Sequence, residues 1–414
     1  MRTLLRCTLL SVWICATIGC GRSIPGVPVD PVPANVPESY RALYAELESD
    51  LSLLNPLFQN LWDAKTAATA FGVELPAAVG HRAGRPGAEA LPSAALTLDR
   101  LQALGVKIVC LNIPYPVLAR DFPQTPAYRD FYRGLAGEIR RRGFLLVVGI
   151  GVMPREPEES TLPKGATGLN RARFNTGLRE MAEAVIADLS PDFLTVLCEP
   201  EAVAQTTGLP FSPSEYAATV RYVVQGLDAG AVKLGAGSGT WIALDYLKAL
   251  GAILELHYLD LHIRPVRYGF AAERVAQAAD VARSRGKKIS IGAAWLQKES
   301  SREFGRLGRS EALAREVYSF WQPLDRRFVE TVVGIAHDIE AEFCVFSRAE
   351  LLFAVIEHTE DAGRLPPAQL LQRMEARAAA RIAAGALTPV GERLRDLIGG
   401  RASEIPLDRG MQTP

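Results

Sequence analysis

Near its middle the sequence reads Asp192-Phe193-Leu194-Thr195-Val196-Leu197-Cys198-Glu199-Pro200-Glu201. The run is apolar, is rich in residues that favour strands, and is too short to form a helix of its own. These features predict a strand buried in a parallel sheet, with Glu199 at its carboxyl end. A carboxylate at such a strand end is either a functional group or the acceptor of a loop hydrogen bond or salt bridge.

Apolar runs of this kind alternate with segments of helical periodicity along the chain. Eight strands are predicted, at residues 71–79, 107–112, 144–151, 193–199, 232–236, 258–263, 288–294 and 342–347. Helices are predicted between them, at residues 96–104, 127–142, 171–189, 214–229, 241–249, 271–285 and 311–339. Eight such units predict an α/β fold, a (β/α)8 TIM barrel over residues 71–360, because an open doubly wound sheet usually has fewer strands.

The N-terminal residues 1–20 have the pattern of an export signal. Arg2 and Arg6 precede a short apolar stretch, which ends in Thr17-Ile18-Gly19-Cys20. This ending resembles the bacterial lipobox, which implies that Cys20 carries a lipid and anchors an exported protein to a membrane, on its periplasmic or cell-surface face. The alternative is an ordinary cleaved signal with a stray cysteine.

Three further segments flank the predicted barrel. Residues 21–37 hold five prolines and predict an extended tether. Residues 38–70 show helical spacing interrupted at Asn55-Pro56, which predicts two N-terminal helices. Residues 361–414 predict one more helix, at 367–384, and a tail.

Composition excludes several functional classes. The chain has 46 basic and 46 acidic residues among 414, so no strong attraction to nucleic acid is expected. Its six cysteines form no CxxC pair and no Cys/His spacing typical of zinc sites, so the sequence predicts no metal and no disulfide scaffold. No dinucleotide-binding or P-loop glycine motif follows an early strand, and no cofactor is predicted.

Polar and aromatic side chains follow most of the predicted strands. Because the carboxyl ends of all eight strands meet at one mouth of a barrel, we expect these side chains to converge there, with Glu199 as the candidate catalytic residue. The candidate substrate-binding residues are Glu201, Tyr115, Trp241, His262, Arg264, Trp295 and Gln297. Aromatic rings beside carboxylates and amides suit sugars, whose C–H faces stack on rings while their hydroxyls bind polar groups.

Three motifs occur in a fixed order: a strand ending in Cys198-Glu199-Pro200, then His262-Ile263-Arg264-Pro265, then a strand ending in Ala293-Ala294-Trp295. This order resembles the clan-A retaining glycoside hydrolases, over residues 71–356. The resemblance implies a carbohydrate ligand and makes Glu199 the counterpart of the general acid/base. As an acid, Glu199 would need a raised pKa.

The chain departs from that clan at two positions. The clan has Asn before the acid/base, where this chain has Cys198, and a nucleophilic Glu at the end of the seventh strand, where it has Ala293-Ala294. A retaining mechanism needs two carboxyl groups about 5 to 5.5 Å apart. Glu299 or Glu201 could replace the nucleophile, an inverting water or a substrate acetamido group could act instead, or the barrel could only bind sugar.

Three functions stay open at this point. The first is a glycoside-hydrolase-like protein that acts on or binds a poly- or oligosaccharide, either as an enzyme or as a pseudoenzyme. The second is a non-catalytic module that binds a glycan or a protein, and the third is an unrelated barrel enzyme with His262 or His257 as base. A second carboxylate across the mouth from Glu199 would favour hydrolysis, whereas Glu199 alone would favour binding.

Overall fold

A computed structural model describes residues 30–62, 69–75, 89–152 and 169–399. Within them eight parallel strands pair in chain order and close into a barrel through the pairing of the first with the last. The strands are β1 (Ala70–Glu74), β2 (Ile108–Tyr115), β3 (Leu145–Val152), β4 (Phe193–Thr195), β5 (Lys233–Gly239), β6 (Tyr258–Ile263), β7 (Lys288–Ala294) and β8 (Phe343–Phe346). The predicted (β/α)8 fold is confirmed.

Helices surround the barrel in the described part of the chain. They span Glu38–Phe58, Ala90–Leu104, Thr125–Arg141, Arg171–Leu189, Pro200–Thr207, Pro213–Val224, Leu244–Gly251, Arg274–Ser284, Arg309–Arg315, Gln322–Asp338, Glu360–Gly363, Pro367–Ala383 and Pro389–Gly399. None of these described helices has the length and apolarity that a membrane span needs.

The barrel interior is filled by aromatic rings below the level of the mouth. The Phe343 ring lies 4.8 Å from that of Phe193 and 5.4 Å from that of Tyr258, centroid to centroid. Side chains of a strand alternate between its two faces, so the residues two and four positions beyond Tyr258 also face the interior. These residues are Asp260 and His262. The alternation along β6 therefore places both side chains inside the barrel, with His262 nearer to the mouth.

Strand β4 is shorter than predicted. It ends at Thr195, and Glu199 has a left-handed backbone with φ 55° and ψ 73°. This conformation ends any extended run, and Pro200 then begins the helix Pro200–Thr207, which the sequence analysis missed. Proline suits the first turn of a helix because its missing N–H has no partner there.

The N-terminal part also differs from expectation. The helix Glu38–Phe58 continues through Pro56, so no break occurs at Asn55-Pro56. The end of the predicted tether packs on the body, since Val36 is buried at 3% exposure and Val32 lies against the core. Residues 21–29, like Cys20, lie outside the described residues.

Candidate functional site

Glu199 stands at the mouth of the barrel, directly before the helix Pro200–Thr207. Its residue exposure is 8%, and its Oε1 lies 2.5 Å from Nδ1 of His262 and also contacts the guanidinium of Arg264. A left-handed backbone is uncommon for a residue with a side chain and is often found at functional sites. The two partners are presented by the end of β6 and the residue after it.

The ionisation state of Glu199 follows from these contacts. Burial alone would raise the pKa of the carboxyl, but Arg264, His262 and Arg309 outweigh it and lower the pKa to about 2. A carboxyl with that pKa is ionised at neutral pH. A general acid would need a raised pKa, whereas the pKa of Glu199 is lowered.

Arg264 lies beside two tryptophan rings. Its guanidinium carbon is 5.5 Å from the centroid of Trp241 and 5.0 Å from that of Trp295, and Arg348 approaches Trp295 at 5.7 Å. These are cation–π distances. The faces expected to stack on sugar are thus partly occupied by guanidinium groups.

Glu201 is bound to Trp241 through the indole Nε1, which donates to Oε1 over 2.8 Å. Burial and the negative charge of Glu199 raise the pKa of Glu201. Three buried polar atoms at the mouth, Oε2 of Glu201, Nε of Arg264 and Nε1 of Trp295, have no hydrogen-bond partner among the described residues. We call the six residues in these contacts the mouth cluster: Glu199, Glu201, Trp241, His262, Arg264 and Trp295.

The pairing of β6 with β7 decides which alanine faces the mouth. The register shifts after Leu261, so that His262 pairs with Ala293 rather than with Gly292, and Ile263 pairs with Ala294. Paired residues on neighbouring strands point to the same side of a sheet, so Ala293 faces the mouth with His262. Ala294 instead belongs to the apolar core between barrel and helices.

Asp260 lies one interior position below His262 and was not singled out from the sequence. It is 2% exposed, and its Oδ2 accepts a hydrogen bond of 2.8 Å from Thr195. Burial raises the pKa of this carboxyl. The alternation along β6, which places it on the face of His262, was the signal that could have identified it.

Two predicted site residues lie outside the mouth cluster. The ring of Tyr115 packs against Phe174 with centroids 5.2 Å apart. Gln297 donates to Glu299 over 2.5 Å, in a cleft that the helix Glu38–Phe58 borders through Asp50. Their roles in substrate binding stay predictions.

The sequence did not predict the ion pairs of a buried charge network. Arg348 pairs with Glu316 and with Glu350, while Lys298, 1% exposed, pairs with Asp325. Lys298, Arg348 and Glu350 follow β7 and β8, as the strand ends in the sequence indicate. Their partners Glu316 and Asp325 come from the end of the helix Arg309–Arg315 and from the helix Gln322–Asp338, so sequence position does not predict the pairing.

Comparison with known proteins bears on the fold. No protein-family model matches this chain, and no curated protein matches it in sequence. The exo-beta-1,4-mannosidase Op5Man5 from Opitutaceae bacterium strain TAV5 is similar in structure, with a TM-score of 0.51 and 12% identity over 82% of this chain and 61% of that one. A Bacteroides ovatus GH5 xyloglucanase in complex with a XXXG heptasaccharide has a TM-score of 0.50 and 12% identity over 84% of this chain and 76% of that one.

At such identities the likeness concerns the fold alone. The shared fold is an eight-stranded parallel barrel, the fold that the resemblance of the sequence motifs to clan-A glycoside hydrolases implies. That resemblance is confirmed at the level of the fold. The chain spans less than two thirds of the mannosidase.

Proposed function

We propose that the barrel mouth binds a poly- or oligosaccharide and does not hydrolyse it by the retaining mechanism. The observation that supports this most is the state of Glu199, whose carboxylate is held by His262 and Arg264 while Ala293 occupies the mouth-facing position opposite His262. A retaining hydrolase needs one carboxyl group that donates a proton and a second that attacks the sugar. Glu199 and Ala293 meet neither need.

The unpartnered polar atoms of the mouth cluster support a polar ligand. A buried polar atom without a hydrogen bond costs about 1 to 3 kcal/mol. Oε2 of Glu201 is an acceptor, whereas Nε of Arg264 and Nε1 of Trp295 are donors. Sugar hydroxyls both donate and accept, so one sugar ring can supply partners to atoms of both kinds.

Calorimetric titration with oligosaccharides tests the binding. Xyloglucan and β-1,4-manno-oligosaccharides are the first choice, since they are the ligand classes in the names of the two similar structures. Trp241→Phe keeps a ring but removes the donor to Glu201, and we expect affinity to fall about tenfold. Trp62→Phe is the matched control, because Trp62 lies beside Arg393 and outside the mouth cluster.

Two results would overturn the proposal. One is equal affinity of Trp241→Phe and the unmodified protein for every oligosaccharide, or no binding at all. The other is brisk hydrolysis of an aryl glycoside by the unmodified protein with retention of configuration, lost on Glu199→Gln.

We also propose that the protein is exported and held at a membrane by a lipid on Cys20. The support is the signal-like sequence ending in that residue, which lies outside the described residues. Cys20→Ser should move the protein from the membrane to the soluble exported fraction, whereas Cys15→Ser should leave it on the membrane. Unchanged fractionation of Cys20→Ser would contradict lipid anchoring.

A further inference from the structure

Three side chains with metal-binding atoms meet just inside the mouth. Cys198 follows β4, while Asp260 and His262 lie in β6, and one ligand atom from each lies within 4.8 Å of the others. Ligands around one zinc ion stand about 3 to 4 Å apart, because their bonds to it are about 2.0 to 2.3 Å long. Small side-chain movements would therefore bring all three atoms to one ion.

The carboxylate of Asp260 has one oxygen that is hydrogen-bonded and one that is not. Thr195 donates to its Oδ2, and the Tyr258 hydroxyl lies 2.9 Å from the same threonine oxygen, so one carboxylate oxygen is fixed. The other oxygen, Oδ1, has no hydrogen-bond partner in the described part of the chain although the residue is 98% buried. Gly292 leaves room for this carboxylate, since a Cβ there would overlap both of its oxygens.

The imidazole of His262 is held by a carboxylate, as the imidazoles of metal-binding histidines commonly are. Its Nδ1 lies 2.5 Å from Oε1 of Glu199, so the ring donates to that carboxylate. Metal-bound histidines commonly donate their second ring N–H to a carboxylate, which fixes the tautomer and leaves the other nitrogen for the metal. Glu199 is thus a positioning residue for His262.

We propose that Cys198, Asp260 and His262 bind one zinc ion. A sulfur, a nitrogen and an oxygen ligand together suit Zn²⁺, whereas Ca²⁺ and Mg²⁺ prefer oxygen ligands only. On binding, the Cys198 thiol releases its proton to solvent, and the thiolate and the Asp260 carboxylate balance the two charges of the ion. Three protein ligands leave a fourth position for water or for a ligand in the mouth.

Metal analysis of the purified full-length chain tests this proposal without any sugar or activity assay. After chelation and equilibrium dialysis against Zn²⁺, we expect one zinc per chain. Replacement by Co²⁺ should give a thiolate-to-cobalt charge-transfer band, which Cys198→Ser should abolish. Glu199→Gln should weaken zinc affinity about 10- to 100-fold, as removal of a second-sphere carboxylate does elsewhere.

Three controls separate this site from the other five thiols of the chain. The triple variant Cys7→Ser/Cys15→Ser/Cys20→Ser and the single variants Cys110→Ala and Cys344→Ala should each keep one zinc, because none of these cysteines belongs to the group. A cobalt protein without the thiolate band, or zinc that survives Cys198→Ser but disappears with the triple variant, would overturn the proposal. If a variant fails to fold, absence of the thiolate band from the cobalt form of the unmodified chain still overturns the proposal.

Discussion

The Nδ1 atom of His262 and the guanidinium of Arg264 contact the same carboxylate oxygen of Glu199. His262 lies in β6 and Arg264 directly follows it, so one strand end supplies both groups that contact this carboxylate. Glu199 therefore fixes the positions of its neighbours at the mouth, and these contacts lower the pKa of its carboxyl to about 2.

Arg264→Gln should destabilise the protein by about 3 kcal/mol, measured by urea unfolding. The substitution leaves Glu199, whose side chain is 11% exposed, without its main cationic partner, and breaking a buried pair costs about 3 to 5 kcal/mol. Arg364→Gln is the matched control. Arg364 pairs with Glu360, and both side chains are about three-quarters exposed. This pair should contribute less than about 1 kcal/mol to the free energy of unfolding.

The double variant Glu199→Gln/Arg264→Gln extends this test. If the loss arises from an uncompensated carboxylate, the double variant should be more stable than Arg264→Gln alone. Additive losses would mean that Arg264 acts through its packing on the tryptophan rings.

Ala293→Glu and Ala294→Glu should behave differently. Ala293 pairs with His262 and faces the mouth, so a carboxylate there should raise cleavage of an activated aryl glycoside above the background of the unmodified protein. Ala294 is 1% exposed in the outer core, so Ala294→Glu should lower stability by at least about 2 kcal/mol without adding activity. Activity in Ala294→Glu alone would show that the register of β6 and β7 is different.

Gly292→Ala should destabilise the protein by about 1 to 3 kcal/mol in thermal unfolding. Its Cβ would overlap the Asp260 carboxylate, which is buried and cannot move away without losing the Thr195 hydrogen bond. The control is Gly137→Ala, in the helix Thr125–Arg141, where a Cβ meets no described atom within 4 Å. Helix propensity predicts that the control is neutral or slightly stabilising. Equal effects of the two substitutions would mean that Asp260 does not need this space.

The stability of the protein should depend on pH through Asp50. Burial raises the pKa of this carboxyl to about 7, with Glu46 adding to the effect and Arg267 opposing it. The folded state therefore binds the proton more tightly than the unfolded state, so stability falls as pH rises from about 4 to about 7. Asp50→Asn cannot ionise, and its free energy of unfolding should exceed that of the unmodified protein by up to about 4 kcal/mol above pH 7 and match it below pH 4.

Unfolding midpoints in urea across this pH range provide the measurement. Glu38→Gln is the control, because that side chain is 96% exposed and its removal should leave the pH profile unchanged. Parallel profiles for Asp50→Asn and the unmodified protein would show that Asp50 is ionised at no cost in the folded state.

Local sequence patterns were sufficient for most of the barrel. Strands β6 and β7 were predicted at residues 258–263 and 288–294, and the structure has the same bounds. The helix Arg171–Leu189 was likewise predicted with its observed ends. Buried parallel strands are continuous apolar runs between turns, and amphipathic helices repeat every 3.6 residues, so both can be identified without tertiary information. The pattern failed at residues 196–199, which lie beyond the end of β4, and residue type does not signal the left-handed backbone of Glu199.

By itself, therefore, the sequence determined the barrel and the arrival of Glu199, His262 and Arg264 at one mouth, because chain order and strand period dictate both. Only the tertiary structure decided that Glu199 is ionised, that Ala293 rather than Ala294 faces the mouth, and that Cys198 and Asp260 lie beside His262. The ionisation depends on distances between charges carried by separate strands, and the orientation of the alanines depends on a shift in register between β6 and β7. Neither quantity is encoded in the spacing of residues along the chain.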